Sequence, residues 1–418
     1  MITGHVIDHF FRYEYGKLVS VLSHRVGMRH IEAVEDAVQF ALLAGIENWG
    51  GETPSDNATA WFYRVAYNQL ISELRTQSRR DNILQISAEE FVDLTEQSTQ
   101  VAFSNELEDE LLRMLFICCD EAIPIESQLV FSLKSLCGFS IKEISLRLFT
   151  SEANVYKRLS RARNTLKETA LTVQEFANTE YTKRLPGVNK ILYLLFTEGY
   201  LSSSLNTAIR KELCEEAIRL THILVNNPIG NVPESQALLA LMCFHFSRMT
   251  ARADDAGSLL LLDEQDRSTW DRSCIKRGMF WLAKSANGEH FSRYHAEAGV
   301  AAEHCLAPSF EQTRWDKIAE CYLLLEQEAP SALHRLNRAV AIAEWKGAEA
   351  GLCVLKEVTP PTWLVSSYLW NAVLADLHLR CGHIELGGDF SEKAFDSAPT
   401  EEIRTLLRRR LNRYRVKV

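Results

Sequence analysis

Turn-forming residues are scarce in this chain: 10 prolines and 19 glycines in 418 residues. An all-β sandwich or barrel punctuates itself with such residues every 8–12 positions or so, and a collagen-like or low-complexity chain needs far more of them. Their scarcity therefore points to an all-α protein. No apolar run reaches the roughly 20 residues that a membrane-spanning helix needs. The opening stretch, MITGHVIDHF, lacks a charged region followed by an apolar block, so a secretory signal is not expected and a cytoplasmic location is. Nor is there any CxxC spacing. The ten cysteines are dispersed, with Cys118-Cys119 the one close pair, and several sit in apolar helical patterns. That argues against zinc ribbons and disulfide frameworks and for reduced, buried thiols. No cofactor or metal site is expected.

What is present is length and uneven charge. A chain of 418 residues suggests two to four domains. Its net charge of −9 discourages a nucleic-acid reading until it is divided. Residues 1–80 are nearly balanced, with 8 basic and 9 acidic side chains, whereas residues 81–137 carry 2 basic against 12 acidic. Between Gly138 and Ala170 the sign reverses, with seven Lys/Arg against three Glu. The acidity belongs to one intermediate segment, so the bulk charge is a poor guide to partners.

The basic stretch reads as two short helices joined by a tight turn, FSIKEISLRLFTSEANVYKRLSRARNTLK from Phe139 to Lys167. Ser140 and Glu143 have capping-box spacing, and Ile141, Ile144 and Leu148 make an apolar stripe. Thr150-Ser151 offers a second N-cap, with Glu152 in the first turn, where the helix dipole favours an acid. Val155, Leu159, Ala162 and Leu166 then share one face. The opposite face carries Ala153, Lys157, Ser160, Arg161 and Asn164, flanked by Tyr156, Arg158 and Arg163. A helix that packs on one side and offers cations on the other is how a helix-turn-helix meets a DNA groove.

Upstream, apolar spacing predicts a helix through Phe10, Phe11, Leu18, Val19 and Leu22. It predicts a second over Ile31–Trp49, whose buried stripe is Val34, Ala37, Val38, Ala41 and Leu42 and whose polar face holds Glu32, Glu35, Asp36 and Gln39. A polar loop, GGETPSDNAT, precedes a third helix over Ala60–Arg80. The three aromatics at its start, Trp61, Phe62 and Tyr63, suit either a core or the stacking of unpaired bases. Residues 81–105 form an acidic linker, and helix resumes over 106–136, interrupted at Pro124.

In this order the parts resemble a bacterial extracytoplasmic-function RNA polymerase sigma factor. VEDAVQFALLAGIENW is similar to that family's polymerase-binding helix, NATAWFYRVAYNQLISELR to its −10-reading segment, and VYKRLSRARNTLK to the end of its −35-reading domain. Downstream, RLPGVNKILYLLFTEGYLSS, LLLLDEQDRSTWD and RLNRAVAIAEWKGAEAGL resemble the subgroup with a tetratricopeptide-like C-terminal extension. The resemblance implies a region 2-like domain over 1–80, a region 4-like domain over 106–170 and the extension over 171–418. Core RNA polymerase and promoter DNA are then the partners, with contact between the extension and the sigma domains a further possibility, and the protein is not an enzyme. Glu32, Glu35, Asp36 and Gln39 would meet polymerase. Asp56, Asn57 and Thr59 would capture a flipped base beside Arg64, Asn68 and Arg75. Tyr156, Lys157 and Ser160 would contact bases, and Arg158 and Arg161 phosphates. Two departures stand out: Cys118-Cys119-Asp120-Glu121 where the subgroup has a CCHP-like sequence, and Phe196-Thr197-Glu198-Gly199-Tyr200 where it has FNEGY.

The C-terminal part shows helix after helix without a catalytic signature. Asn337 and Ala341 are answered by Asn371 and Ala375, an offset of 34 and the tetratricopeptide length, with Gly382, Ala394 and Pro399 at the turn, packing and terminating positions. Glu264, Asp266 and Asp271 form a carboxylate group that reads as capping and as ion pairing to Arg267 and Arg272. His290, His295 and His304 read as ordinary surface or core histidines. The basic end, RTLLRRRLNRYRVKV, suits either DNA or polymerase contact or a solvated helix end. Two alternatives to a sigma factor remain: a helix-turn-helix activator with a peptide-sensing repeat domain, and an enzyme or scaffold built on the repeats.

Overall fold

The computed structural model describes residues 2–49, 58–81, 99–148, 150–168, 178–201, 207–254, 258–288, 290–356 and 359–414. Apart from one isolated bridge between Ala253 and Leu259, every regular element among them is a helix. The all-α expectation holds. Two compact units divide the chain, residues 1–198 and 199–418.

The first unit contains α1 (Ile2–Val26), α2 (Ile31–Trp49), α3 (Ala58–Asp81), α4 (Thr99–Cys118), α5 (Ile125–Ser135), α6 (Ile141–Arg147), α7 (Glu152–Glu168) and most of α8 (Asn178–Leu201). The second helix has the predicted bounds, while α4 begins inside the stretch read as linker; residues 82–98 of that stretch lie outside the described residues. Helix α1 organises the unit, packing on α2 and α3 and also on α4 and α5. Leu18, Val19, Val21 and Leu22 are all buried, as are Glu14, Lys17, Ser20 and Ser23. A helix buried on more than one side serves two neighbours. Gly16 makes this possible, because a Cβ there would collide with the Leu136 carbonyl oxygen. His24 adds an ion-pair geometry to Glu110 of α4 at 2.9 Å. The two segments expected as separate small domains thus share one packing helix.

The turn from α5 into α6 passes through Gly138, whose φ of 70° lies in the left-handed region. A side chain there would also press on the Tyr15 ring of α1. In the α4–α5 connection, Cys118 and Cys119 are buried, and burial holds both thiols above their ordinary pKa. Asp120 accepts a hydrogen bond from the Ala122 N–H at 2.9 Å and pairs with Arg184 of α8 at 2.7 Å. The departure from the CCHP-like pattern therefore has a structural use: its Asp ties down the first turns of α8.

The second unit holds α9 (Thr207–Asn226), α10 (Pro233–Ser247), α11 (Arg272–Ser285), α12 (Arg293–Leu306), α13 (Trp315–Glu328), α14 (Ala332–Lys346), α15 (Ala348–Lys356), α16 (Thr362–Val365), α17 (Tyr368–Arg380), α18 (Ile384–Asp396) and α19 (Glu401–Asn412). Helix α10 is almost wholly buried and touches α9, α11 and α12. From α13 onward, neighbours in sequence pack as hairpins, α14 on α15 and α17 on α18. Gly347 and Gly382, at φ 94° and 79°, end the first helix of each hairpin. The paired Ala341 and Ala375 are both buried, and the Asn371 amide donates to the carbonyls of Val365 and Ser367.

Candidate nucleic-acid interface

Helices α6 and α7 form the expected helix-turn-helix, and its local signals explain it. The Ser140 hydroxyl accepts from the Glu143 N–H while the Glu143 carboxylate accepts from the Ser140 N–H, a complete capping box. Ser151 accepts from the Asn154 N–H at 3.2 Å, opening α7 as read from the sequence. Val155, Leu159, Ala162 and Leu166 are buried, and α7 lies on α5 and α6.

Outward, Ala153, Tyr156, Lys157, Ser160, Arg161, Asn164 and Lys167 are exposed in an unbroken i, i+3, i+4 stripe. Tyr156 is 59% exposed, unusual for an aromatic ring without a partner to cover it. Among the described residues no carboxylate pairs with Lys157, Arg161 or Lys167. Arg158 sits half-buried at the edge of the stripe.

Two of the seven basic residues turn away. The Arg147 side chain is buried over the Phe139 ring, 4.1 Å from its centroid. Arg163, read as a flank of the DNA face, instead crosses to α2: Nη1 pairs with Glu32 and Nη2 with Glu35, each at 2.6 Å. Glu35 is 2% exposed and also accepts from the Ser135 hydroxyl at 2.7 Å. The structure thus brings one expected polymerase contact, Glu35, into the contact between α2 and the helix-turn-helix, and engages Glu32 there too. A buried carboxylate is tolerable only with such partners.

The rest of the polar face of α2 stays outward. Asp36 and Gln39 are exposed, and so are Phe40, Leu43 and Ile46, Leu43 at 61%. These five share a stripe at helical spacing. The three apolar members were not singled out from the sequence, yet the signal was there: they fall off the stripe of Val34, Ala37, Val38 and Ala41, so that arc has no core to enter. Exposed apolar residues bordered by polar ones mark a docking surface.

On α3, Arg64, Asn68 and Arg75 are all exposed at spacings of four and seven, one face of a helix, and Thr59 is half-buried at its start. Asp56 and Asn57 lie outside the described residues. Phe62 and Tyr63 are buried, with Trp61 edge-on to Phe62 at 5.4 Å, so two of the three aromatics belong to the core.

The candidate sites of the second unit resolve differently. Asp266 and Asp271 cap turns, accepting from the N–H groups of Ser268 and of Ser273 and Cys274. Glu264 pairs with Arg409 and Arg413 rather than with Arg267 or Arg272, which corrects the expected partners. Those two arginines come from the basic C-terminal stretch and are engaged within the second unit. Of the three histidines, His295 and His304 are buried and His290 is exposed. No metal-ligating group of three appears among the described residues.

Comparison with known proteins bears on all of this. Residues 10–80 match the model of sigma-70 region 2, residues 113–166 that of sigma-70 region 4, and residues 184–286 a family of unknown function (DUF6596). An uncharacterized protein of Rhizobium meliloti (strain 1021) is 31% identical over 332 residues, covering 78% of each chain. No solved structure matches. Two sigma-70 regions in their order, one containing the exposed stripe of α2 and the other the exposed cationic face of α7, identify what the chain is: it belongs to the sigma-70 family, the factors that join core RNA polymerase and direct transcription from promoters.

Proposed function

We propose that this chain is an alternative sigma factor of the extracytoplasmic-function kind, regulated by a tetratricopeptide-like C-terminal extension. The observation that carries the reading is the outward face of α7, where Tyr156, Lys157, Ser160 and Arg161 stand exposed on a helix bedded in its own core, with no carboxylate pairing to Lys157 or Arg161 among the described residues. In this reading Tyr156, Lys157 and Ser160 read −35 bases, and Arg158 and Arg161 hold phosphates. Arg64, Asn68 and Arg75 line the −10 strand beside the loop of Asp56, Asn57 and Thr59. Asp36 and Gln39, joined by Phe40, Leu43 and Ile46, dock on polymerase. Glu32 and Glu35 become available to polymerase once Arg163 lets go, so docking and release of α7 from α2 are one event. The hairpins α14–α15 and α17–α18 support the repeat reading of the extension.

The test is in vitro transcription with core polymerase. Asp36→Ala with Gln39→Ala is expected to weaken capture of core polymerase while leaving the melting temperature unchanged. Undiminished co-purification with polymerase would sink the assignment of that surface. Truncation is best made after Leu201 rather than within residues 169–177, because Tyr181 packs edge-on against Phe116 at 5.0 Å and Arg184 holds Asp120. Full-length protein less active than the truncated form marks the extension as inhibitory; the reverse marks it as required.

A further inference from the structure

The second unit pairs its part-buried arginines with carboxylates almost everywhere: Arg219 with Glu216, Arg338 with Glu326, Arg380 with Glu344, Arg410 with Asp376. Around Tyr200 the habit fails. Arg248, Arg252 and Arg267 gather there with His245 and His304. Among the described residues no carboxylate accepts a hydrogen bond from any of the three guanidinium groups.

The three arginines have different work. Arg267 is buried and structural, since it donates to the carbonyls of His304 and Ala307 at 2.8 and 2.7 Å and lies over the Trp270 ring. It fixes a permanent positive charge in the cluster, and the exposed Glu311 is a carboxylate that acts on it. Arg248 and Arg252 are only half-buried. Arg248 Nε donates to the Tyr200 hydroxyl at 3.0 Å, and Nη2 lies 3.2 Å from His245 Nδ1. Arg252 donates to the Tyr200 carbonyl and sits 4.2 Å from that ring's centroid. Each guanidinium has five N–H donors. Among the described residues, Arg248 thus retains three of these donors, and Arg252 four, without an acceptor.

Electrostatics agrees with an excess of positive charge. Burial, then Arg248 and Arg267, hold the His304 pKa down at about 3, and its Nδ1 is buried without a hydrogen-bond partner. Burial, then Arg248, Arg252 and His304, hold His245 well below its ordinary value. Like charges this close repel in a part-buried site, and a native fold that matches its arginines elsewhere leaves these for something it binds. We propose that Arg248 and Arg252, beside Tyr200, form a binding site for a phosphate-bearing small molecule. Two planar forks with several free donors each, backed by a third fixed cation, suit a multiply charged tetrahedral anion better than one carboxylate. Half-buried placement against Tyr200 and His245 favours a small ligand over a nucleic-acid backbone. The FTEGY and LDEQDRSTWD stretches, which the sigma reading leaves without a role, supply Tyr200 and Arg267 to this cluster.

Calorimetric titration of the full-length protein with pyrophosphate, at fixed ionic strength, tests the site, with citrate as the carboxylate control. Saturable pyrophosphate binding is expected, at least tenfold weaker in Arg248→Gln and in Arg252→Gln. Arg252→Lys keeps the charge and loses the fork, so it should fall between; it decides the matter if the Gln variants melt early. Arg404→Gln, on α19, should bind as wild type. No saturable binding, an affinity untouched by these changes, or citrate binding as tightly as pyrophosphate would each overturn the proposal. None of these outcomes bears on promoter recognition, which uses other residues.

Discussion

Helices α7 and α19 look alike in sequence and differ in what their charge can reach. Both open with Glu after a capping hydroxyl, Ser151 and Thr400, and both then turn strongly basic. On α19 the charge is consumed inside the unit. Arg404 meets Glu401, Arg409 meets Glu264, Arg410 meets Asp376, and Arg413, just past the helix end, meets Asp263 and Glu264. On α7, Lys157, Arg161 and Lys167 meet no acid among the described residues, and Arg163 alone is spent. The difference teaches that a run of Lys and Arg measures charge present, not charge available. Availability depends on which acids the fold delivers from elsewhere, here α17 and the 263–264 turn for one helix and only α2 for the other.

The largest effect should come from the free face. Lys157→Ala combined with Arg161→Ala removes a base contact and a phosphate contact from the proposed interface. At about 1–3 kcal/mol for a good base contact, plus a similar amount for the charge, promoter-directed transcription should drop by roughly a hundredfold or more. The salt dependence of promoter binding should also become shallower. Transcription unchanged in rate and in promoter preference would make α7 no more a DNA helix than α19.

Much of this contrast is legible in the amino-acid sequence. The capping residues, the buried stripe and the outward cations of α7 follow from a period of 3.6 and a few hydroxyls, because helix faces are local facts. The bounds of α2 were legible for the same reason. What stayed hidden was every long-range pairing. Nothing local says that Arg163 reaches back across 128 positions to Glu35, or that Arg413 lies beside Asp263. The apolar stripe of Phe40, Leu43 and Ile46 was hidden differently: hydrophobic residues on a helix are assumed to be core until the core is seen to lie elsewhere. The wide burial of α1, which joins two expected domains into one unit, depends on Gly16, a single residue whose meaning appears only when Leu136 is opposite it.

Arg163 sharpens the comparison within one helix, since it is the α7 arginine that behaves like those of α19. Arg163→Ala leaves Glu35 buried with Ser135 as its one partner among the described residues. Removing one member of a buried ion pair costs about 3–5 kcal/mol, and partial exposure of Arg163 puts the expected loss of stability near about 3 kcal/mol. Thermal melting of the 1–201 fragment or of the full chain reads it. Glu35→Gln, which removes the charge and keeps the hydrogen-bonding shape, should recover part of that loss in the double variant, and the two changes should be clearly non-additive. A variant that melts like wild type but transcribes like the Lys157 and Arg161 variant would return Arg163 to the DNA face.

The smallest expected effect lies on α19 and tests the other side of the comparison. Arg410 holds Asp376, which is buried, at 3.1 Å, but Arg380 also stands 3.5 Å from the same carboxylate. Arg410→Ala therefore leaves Asp376 with one cation instead of none. The cost should stay near about 1–2 kcal/mol, below that of an orphaned buried charge. In a unit of this size that is a fall in melting temperature of roughly 2–4 °C per kcal/mol. Promoter binding and its salt dependence should not move at all, because the charge removed was already balanced within the fold. If promoter binding weakens while the melting temperature holds, the α19 arginines are reachable by DNA after all, and the distinction between spent and available charge fails at the helix where it is most complete.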